Sequence, residues 1–528
     1  METDSKTALM SAADGEVLPA FTNNKYAAKY FTDLSRLTHV ALLTNCGSMV
    51  KEVPLLLPSQ QNELKQALTQ WALTNGLTMF PPNFDENVTA AAPVTFYPTP
   101  FPHTAFKTAI DVQKVFNELY IGVVSRHKTW LLEILETLAQ FDQDFTGKLF
   151  EIYLKSLVDD KSVQPVSLGL FRSDYMVNQD DEVKQVEFNT VSVSFGGLST
   201  KVGQVHRYLN QGGFYDNKYS STYYDDDELP VSNSASELAR GLAQGVKHYS
   251  LGNTVVLVIV QPGERNVFDQ KHIEFNLLAE YGIRSVRMTL EEVQTKTTIN
   301  QHKLYIKLTM DEVSVVYYRS GYAPSDYYND QIWDARLYLE KNMAIKCPSV
   351  LTQLSGAKKV QQLLTQPEII KSVLPDLVDA DLEKLVSTFV KIYPLDESEE
   401  GTYAKKEALE SPGKYVLKPQ REGGGNNIYK EDIPDFLSKL NESEWGAYIL
   451  MELIKPANHE NVILRQGEII SDNIISELGT FGTALFNEDS GEIYENEYAG
   501  WLLRSKVSSS DEGGVAAGFG CVDSVYLF

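Results

Sequence analysis

Apolar residues recur at helical spacing through much of the first third of the chain. In residues 60–75 they place Leu64, Leu68 and Trp71 on one face, and Gly76 follows as a stop signal. Similar apolar stripes in residues 112–157 predict further helices. The pattern then changes to short runs with strand character.

The strand-like runs are at residues 166–176 and 183–193. Between residues 215 and 236 the chain is polar and rich in Asp and Tyr. Its acidic run at residues 225–228 is typical of a solvated surface loop, and a metal site is the alternative interpretation.

A second unit of alternating strands and helices begins near Gly252. An apolar run at residues 254–260 has the composition of a buried parallel strand, and a helical pattern follows it. Strand candidates at residues 284–288 and 313–318 complete the alternation, which predicts an α/β lobe over residues 252–348. No GxGxxG motif follows the first strand, which disfavours a dinucleotide-binding fold.

Composition and charge narrow the range of partners. The chain has 528 residues, 43% of them hydrophobic, as in a globular protein of several lobes. Lys and Arg number 47 and Asp and Glu 71, a formal net charge of −24. A surface this acidic repels phosphate backbones and anionic lipid, so we expect no nucleic-acid and no membrane partner. A local cluster of cations could still hold a small anion.

The cysteines and the start of the chain bear on the compartment. Cys46, Cys347 and Cys521 are too widely spaced for a disulfide framework, and no CxxC pair is present. The first residues lack the basic and apolar segments of a secretory signal, and no apolar stretch is long enough for a membrane span. We therefore expect a reduced, cytoplasmic protein.

Residues 415–429, YVLKPQREGGGNNIY, carry the strongest chemical signal. Three consecutive glycines let a backbone approach a polyphosphate and offer it N–H groups. Lys418 supplies a positive charge for phosphate oxygens, and Glu422 supplies a hard oxygen for Mg²⁺. No Gly-Lys-Ser/Thr follows, so this is not a Walker A loop; a flexible hairpin tip is the alternative.

A second signal lies in the strand candidate at residues 183–193. Period-two alternation places Gln185, Glu187 and Asn189 on one face and directs Val186 and Phe188 to the core. A carboxylate and an amide oxygen two residues apart suit Mg²⁺, whereas a solvent-facing edge strand is the alternative. The hydroxyl residues and glycine pair that follow suggest a turn that binds a carboxylate.

A third signal lies near the end of the chain, where Arg504 and Lys506 alternate onto one strand face. A guanidinium suits a carboxylate and a lysine suits phosphate, and the small residues at 513–518 leave room for a ligand. A simple C-terminal turn is the alternative. Three single cations, which by themselves are typical of surface ion pairs, are Arg172, Arg319 and Lys358.

Together these segments resemble the eukaryotic glutathione synthetase family of ATP-grasp ligases. The resemblance begins at about residue 168 and is weakest before residue 93 and at residues 215–236. Its blocks are FRSDYM at 171–176, EFNTVSVSFGGL at 187–198, ERNVFDQ at 264–270, YRSGY at 318–322, GAKKVQQ at 356–362, KPQREGGGNN at 418–427, YILME at 448–452, ISELG at 475–479 and the turn at 513–518.

The resemblance implies an α/β ATP-grasp fold with α+β lobes. Residues 1–251 would form a helical region and part of the ATP-grasp body, and residues 252–348 a smaller, inserted α/β substrate-binding domain. Residues 349–528 would complete the body and include a mobile lid at about 386–454. The resemblance also implies a homodimer.

The implied reaction is ATP-dependent. ATP would phosphorylate the cysteinyl carboxylate of γ-glutamylcysteine, and glycine would attack the acyl phosphate to give glutathione, ADP and phosphate, with two Mg²⁺ ions. Such chemistry needs no side-chain nucleophile, in keeping with the lack of a GxSxG or Cys-His arrangement. A ligase with another acceptor and a non-catalytic binding or effector protein are the alternatives.

The resemblance assigns roles by position. The metal ligands would be Glu187, Asn189 and Glu422. The ATP-binding residues would be Glu187, Lys358, Lys418, Glu422, Gly423, Gly424, Gly425, Asn426, Asn427, Tyr429, Met451, Glu452, Leu453, Ile454, Glu477, Lys506 and Glu512. The peptide and its acceptor would contact Arg172, Val191, Ser192, Val193, Ser194, Glu264, Arg265, Asn266, Gln270, Arg319, Ser320, Gly321, Tyr322, Arg504, Val515 and Ala516. The catalytic cations would be Arg172, Lys358, Lys418 and Arg504.

Two details complete the implied site. Glu512 stands where some family members have Asp, and Ala516 with Ala517 matches the glycine-using form of the turn. Because ATP and the peptide are anionic, the acidic excess is expected to lie outside a cleft made locally positive by its cations.

Overall fold

A large mixed β-sheet separates two hydrophobic clusters in the computed structural model of the protein. The structure describes residues 50–216, 221–250, 252–420, 426–510, 514–515 and 518–528. Within these ranges the large sheet has eleven strands, and a separate sheet has four.

The helices and strands of the described residues are numbered in chain order. The helices, α1 to α15, span Pro58–Asn75, His103–Val124, Lys128–Phe141, Lys148–Ser156, Gly196–Gln211, Ser234–Tyr249, Val267–Tyr281, Leu290–Lys296, Asp330–Glu340, Val350–Leu354, Lys358–Leu363, Pro367–Val373, Asp379–Ser387, Glu399–Glu410 and Asp432–Leu437. The strands, β1 to β21, span Thr78–Met79, Ala90–Ala91, Val94–Thr95, Thr99–Phe101, Val166–Val177, Val183–Asn189, Val255–Ile259, Arg284–Met288, Thr297–Asn300, Lys303–Ile306, Val313–Tyr318, Ile345–Cys347, Ile392–Pro394, Tyr415–Pro419, Ile428–Tyr429, Tyr448–Glu452, His459–Arg465, Glu468–Asn487, Ile493–Val507, Gly520–Asp523 and Val525–Leu527.

The helical patterns of the sequence form helices. In α1, Leu64, Leu68 and Ala72 are buried, and Gly76 ends the helix with the left-handed φ of +74° that glycine adopts readily. The stripes at residues 112–157 divide among α2, α3 and α4. The prediction of helices in this part of the chain is confirmed.

The large sheet joins an antiparallel half to a parallel half at β5. Its order is β17-β3-β20-β19-β18-β5-β12-β11-β7-β8, and β6 also pairs with β5. β5 is antiparallel to β18 and β6 but parallel to β12, which brings in the parallel strands β11, β7 and β8. The predicted strands of the second unit are therefore confirmed, and they continue the same sheet.

Alternate residues of β5 enter the two clusters. Phe171 and Tyr175 pack with residues of α2, including Phe116, on one side of the sheet. Leu168 and Leu170 pack on the other side with helices α5 and α6. Further along that second side, the apolar positions give way to charged ones at Arg172 and Asp174.

The four-stranded sheet has the order β13-β16-β14-β15 and its own small cores. Helices α14 and α15 cover one face, where Ala404, Leu417 and Ile433 are buried. This sheet lies within the segment predicted to be a lid. The domain boundaries near residues 251 and 348, and the mobility of the lid, stay predictions.

The segment at residues 215–236 is only partly the solvated loop predicted from its polarity. Asp225 and Asp227 are exposed, but Tyr215 and Tyr224 are buried, and the Tyr215 hydroxyl donates to the carbonyl of Phe96 at 2.8 Å. The two buried tyrosines anchor this part of the chain to the core. No cluster of three metal-binding His, Cys, Asp or Glu side chains occurs in the described residues, so the metal alternative has no support there.

None of the helices that the structure describes is both long and apolar enough to cross a membrane.

Two glycines with left-handed backbone allow a test of how the sheet is packed. Gly500 in β19 has φ +91°, and a Cβ there would lie 2.7 Å from the Ser234 nitrogen. Gly467, between β17 and β18, has φ +81° and open space around it. We expect Gly467→Ala to cost about 1 kcal/mol through backbone strain alone. Gly500→Ala should cost about 3 kcal/mol or more, because strain and overlap add.

Urea unfolding followed by circular dichroism measures both changes in the free energy of unfolding. Equal losses for the two variants would show that β19 can move away from the start of α6, contrary to the packing described.

Candidate active site

One face of the large sheet collects polar side chains from neighbouring strands. Arg172 pairs with Asn189, and Asp174 pairs with Glu187, across β5 and β6. Cross-strand partners share a face, so these four side chains form one group. The predicted association of Glu187 with Asn189 is confirmed by this register.

The same face continues across β18 and β19. Arg504 is opposite Glu477, and Lys506 is opposite Ile475. Ser505, between the two cations, lies on the other face, where its hydroxyl contacts that of Ser476 at 2.7 Å. The predicted alternation of Arg504 and Lys506 onto one face is therefore confirmed.

The face predicted for Gln185 and Val186 is wrong, because a β-bulge interrupts β6. The register passes from Asp174–Glu187 to Tyr175–Gln185, so Val186 is the extra residue. Gln185 consequently lies on the opposite face and donates to the Ser173 hydroxyl at 2.7 Å. Val186, predicted to face the core, lines a cavity instead.

The cations of this face are paired with carboxylates. Arg172 Nε and Nη2 donate to the two oxygens of Asp174, at 2.6 and 2.7 Å. Arg504 Nη2 donates to Asp174 Oδ2 at 3.2 Å and also to Glu477. Burial raises the pKa of Glu477, and Arg504 opposes that shift. Glu477, assigned to ATP by the resemblance, thus contacts Arg504 in this structure.

Two lysines from outside the large sheet contact residues of β6 on this face. Lys358, the first residue of α11, contacts Glu187 Oε2 at 3.0 Å. Lys418 of β14 donates to the Val186 carbonyl at 2.8 Å. Burial alone would raise the pKa of Glu187, but Lys358 and Lys418 hold it well below its usual range. Burial also lowers the pKa of Lys418 to about 8, against the pull of Glu187.

A cavity of about 390 Å³, within the size range of small-molecule sites, is lined by Lys418, whereas Lys358 is not among its lining residues. Apolar side chains of Val186, Val416 and Ile475 contribute to its lining together with polar groups. The residues assigned to ATP that line it are Lys418, Asn427, Tyr429, Met451, Glu452, Leu453, Ile454 and Lys506. The pattern of apolar walls and cations suits a planar base carrying a polyphosphate.

Several residues of this cavity were missed by sequence reasoning. Met176, Lys455 and Asn458 line it, as do Val186 and Ile475. Ile475 could have been found, since it is two residues from Glu477 on the same strand face. Lys455 and Asn458 follow the predicted run 451–454, but no local pattern distinguishes them.

The predicted carboxylate-binding turn follows β6. Ser192 and Phe195 have left-handed φ values of +52° and +71°. Arg319 donates to the Val193 carbonyl and the Ser194 hydroxyl, and the Ser192 hydroxyl donates to the Tyr318 carbonyl at 3.0 Å. The turn is therefore held against the end of β11.

Asp269, another residue missed by sequence reasoning, anchors the same turn. Its carboxylate accepts from the backbone N–H groups of Phe195, Gly197 and Leu198 at 2.7, 2.7 and 3.0 Å. The glycine pair here begins α5 rather than only ending a strand. Because Asp269 is about seventy residues away along the chain, no local pattern could reveal the contact.

The candidate peptide-binding residues of the second unit form a cluster at the turn. Gln270 donates to Glu264 at 2.7 Å, and Glu264 also accepts from the Asn266 backbone. Arg319 Nε and Asn266 Oδ1 are buried and have no hydrogen-bond partner in the described residues. Buried groups of this kind are rare and suit a bound ligand.

Not every predicted contact lies there. Arg265 donates to the Phe80 carbonyl, and Val191, Val193 and Val515 are buried in the hydrophobic clusters. Gly321 and Tyr322 donate their backbone N–H groups to Asp326, and Ser320 is buried beside them. Asn426 is exposed. The candidate residues outside the described residues are Glu422, Gly423, Gly424, Gly425, Glu512, Ala516 and Ala517.

The orientation of the Asn189 side chain suits the binding of a hard cation. The side-chain nitrogen donates to the Arg172 carbonyl at 3.2 Å and to Asp174 Oδ2 at 2.9 Å. Its N–H groups are thereby used, and Oδ1, on the face that Glu187 shares, has no hydrogen-bond donor among the described residues. Glu187 and Asn189 thus offer oxygen ligands of the kind Mg²⁺ prefers.

Comparisons with known proteins identify the family of the chain. The family model described as eukaryotic glutathione synthase, ATP binding domain, matches residues 58–527. The glutathione synthetase large chain of Schizosaccharomyces pombe is 37% identical over 505 residues, covering 90% of this chain and 99% of its own. The human glutathione synthetase is 39% identical over 496 residues, covering 92% and 100%.

The fold has a solved counterpart as well. The apo structure of a glutathione synthetase-like effector from Globodera pallida aligns with a TM-score of 0.70 and 22% identity, covering 91% of this chain and 100% of that one. Fold and site together define an α/β protein of the ATP-grasp class. The chain belongs to the eukaryotic glutathione synthase family, which confirms the resemblance drawn from the motifs.

A buried carboxylate behind the site permits a pH test. Asp523 accepts from the hydroxyls of Thr95, Thr99 and Ser505 at 2.6, 2.6 and 2.5 Å. Burial raises its pKa to about 6, above the model-peptide value near 4. The folded state therefore binds the proton more tightly, and this group's contribution to stability is lost as pH rises from about 4 to about 6.

Asp523→Asn removes that titration. We expect the stability of the wild type relative to this variant to fall by on the order of 2 kcal/mol between pH 4 and pH 7. Urea unfolding at several pH values measures the difference, with the exposed Asp227→Asn as control. A pH-independent difference would mean that Asp523 keeps an ordinary pKa in the folded protein.

Proposed function

We propose that the protein joins γ-glutamylcysteine to glycine at the expense of ATP, giving glutathione, ADP and phosphate. The observation that carries the proposal is the nucleotide-sized cavity, which opens beside Lys418 and Lys506 and adjoins a face bearing Arg172 and Arg504. Its relatives are named glutathione synthetases in fungi, plants and animals.

The cations divide between two anions. Lys418 and Lys506 line the cavity and would hold the phosphates of ATP. Arg172 donates to the Ser194 carbonyl of the turn at 3.5 Å, and Arg504 shares Asp174 with Arg172. The two arginines would hold the reacting carboxylate of the peptide. Phosphoryl transfer between two anions depends on such offsetting charges and on alignment of the reactants, and it needs no side-chain nucleophile.

The turn and the second unit would orient the peptide. Arg319 Nε and Asn266 Oδ1, which lack protein partners in the described residues, would bond to it. Glu187 and Asn189, with Glu422, would hold Mg²⁺, which would offset charge on the phosphates. The two-ion stoichiometry follows the family resemblance.

An acyl phosphate hydrolyses readily, so the site must exclude water after ATP binds. The four-stranded sheet supplies Lys418 and the 451–454 wall of the cavity, and its closure over the large sheet would perform this task. We accordingly propose that residues of about 386–454 act as the lid and residues 252–348 as the substrate-binding domain.

We further infer a cytoplasmic homodimer. Cys347 and Cys521 are buried free thiols, in keeping with a reducing compartment. The dimer follows the family resemblance, and light scattering coupled to size-exclusion chromatography tests it by the molar mass of the purified chain.

A ligase with another acceptor and a non-catalytic effector are less well supported. The relatives in fungi, plants and animals are named glutathione synthetases, which disfavours both alternatives. Lys418 contacts the Val186 carbonyl, next to Glu187 on β6, so the groups that a ligase would need are present. An ADP-release assay with γ-glutamylcysteine distinguishes the possibilities when glycine, alanine, β-alanine and serine are compared. We expect the highest kcat/KM with glycine. Preference for another amino acid would change the assigned product, and no ADP release with any acceptor would refute ligase activity.

Lys418 supplies the sharpest mutational test. Lys418→Met removes a buried cation from the cavity while keeping much of its apolar volume, so we expect turnover to fall by about 100-fold or more. Lys414→Met is the control, because the Lys414 side chain is 66% exposed and contacts Glu407 on the surface.

Both variants are assayed at saturating ATP after their melting temperatures have been compared. Equal activity of Lys418→Met and Lys414→Met would remove Lys418 from the phosphate-binding role.

A further inference from the structure

Asp174 lies at the centre of the polar face and was not among the residues predicted to form the site. Its side chain is fully buried, with 0% exposure. It accepts hydrogen bonds from Arg172, from Arg504 and from Asn189, which stand on three different strands. No other carboxylate among the described residues is recorded in contact with all three.

The contacts between Asp174 and Arg172 occupy one edge of the guanidinium and leave the other edge for other partners. Nε and Nη2 are both occupied by Asp174, in the bidentate geometry that holds a guanidinium in one plane. The remaining nitrogen, Nη1, lies 3.5 Å from the carbonyl of Ser194 in the peptide-binding turn. Asp174 therefore directs the available donor edge of Arg172 towards this turn.

The contact of Asp174 with Arg504 competes with the contact that Glu477 makes with the same guanidinium. Arg504 Nη2 is shared between Asp174 and Glu477, which come from different strands. Without the charge on Asp174, Glu477 would attract Arg504 alone, and Arg172 and Arg504 would repel each other in a buried setting. Asp174 thus keeps the two guanidinium groups side by side.

The contact with Asn189 sets the orientation of an amide. Asp174 Oδ2 accepts from Nδ2 at 2.9 Å, so the amide oxygen must point away from Asp174. Arg172 uses its backbone carbonyl to accept from the same nitrogen. One carboxylate thereby orients the candidate metal ligand and both arginines.

The strand beside Asp174 leaves room for this arrangement. Gly479 of β18 is directly opposite Asp174. A Cβ at position 479 would lie 2.8 Å from Asp174 Oδ1 and 2.9 Å from Arg172 Cδ. Any larger residue there would displace Asp174 and Arg172, so the arrangement requires glycine at position 479.

We infer that Asp174 is a positioning residue that couples the peptide-binding arginines to the metal-binding amide. The inference rests on the proposed function for the identity of the ligands. It assigns Asp174 no contact with substrate: the residue acts by holding Arg172, Arg504 and Asn189 in one arrangement. Loss of its charge should weaken peptide binding and metal binding together.

Asp174→Asn is the direct test, and Asp523→Asn is its matched control. Both replace a fully buried carboxylate by its neutral isostere, but Asp523 contacts hydroxyls and no guanidinium. For Asp174→Asn we expect the KM for γ-glutamylcysteine and the Mg²⁺ concentration for half-maximal rate each to rise about 10-fold or more. For Asp523→Asn both should stay within about twofold of the wild type, whatever its melting temperature.

Gly479→Ala is a second variant, and it keeps every charge of the site. It replaces Asp174→Asn as the test if Asp174→Asn does not fold. We expect it to raise the same two constants, since the added methyl displaces Asp174 and Arg172. Gly245→Ala in α6 is its control, because the added Cβ would meet the apolar side chains of Leu168 and Val315 at 3.1 Å. If the site variants match their controls in both constants, Asp174 is structural only and the inference is overturned.

The outcome can be separated from that of the proposed function. If the wild type forms no glutathione, the proposed function fails, and binding is then measured directly. Isothermal titration calorimetry reports the binding of γ-glutamylcysteine, and electron paramagnetic resonance of Mn²⁺ in the presence of ATP reports the binding of the metal. Parallel loss of both binding events in Asp174→Asn, but not in Asp523→Asn, supports the coupling. A loss of only one, or of neither, contradicts it.

Discussion

The arrangement of the site depends on one constraint: buried cations need partners before their anionic ligands arrive. Leaving a guanidinium or ammonium group unpaired in a dry interior is strongly destabilising. Arg172 contacts Asp174, Arg504 contacts Asp174 and Glu477, and Lys358 contacts Glu187. The locally positive cleft expected from the anionic ligands stays a prediction. What the structure adds is that Arg172, Arg504 and Lys358 are each already paired with a carboxylate.

The continuity of the large sheet brings these paired charges to the turn at residues 192–195. β5 pairs with β18 and β6 on the antiparallel side and with β12 on the parallel side. The second unit thus joins the body through hydrogen-bonded strands, and its residues Arg319 and Asp269 hold the turn from the side of that unit. A shift between the two halves of the sheet would alter the turn and the position of Arg172 together.

Much of the fold could be predicted from local pattern. Helix α1, strand β11 and the shared face of Arg504 and Lys506 follow from periodicities of 3.6 and 2 residues. The contacts that arrange the site could not, because they join distant segments: Asp269 meets the turn, and Asp174 meets Arg504 on another strand. Such pairings depend on topology, and a single sequence records no trace of it at these positions.

The bulge at Val186 shows how an exception to local pattern can serve the site. In a regular ladder its carbonyl would pair with the neighbouring strand, but as the extra residue it accepts from Lys418 at 2.8 Å and from Gln361 at 3.2 Å. Lys418 belongs to the four-stranded sheet, so this neutral carbonyl joins that sheet to the large one. A phosphate is a stronger acceptor for an ammonium group than a carbonyl is. If ATP binds as proposed, its phosphate can therefore replace the Val186 carbonyl as the hydrogen-bond partner of Lys418.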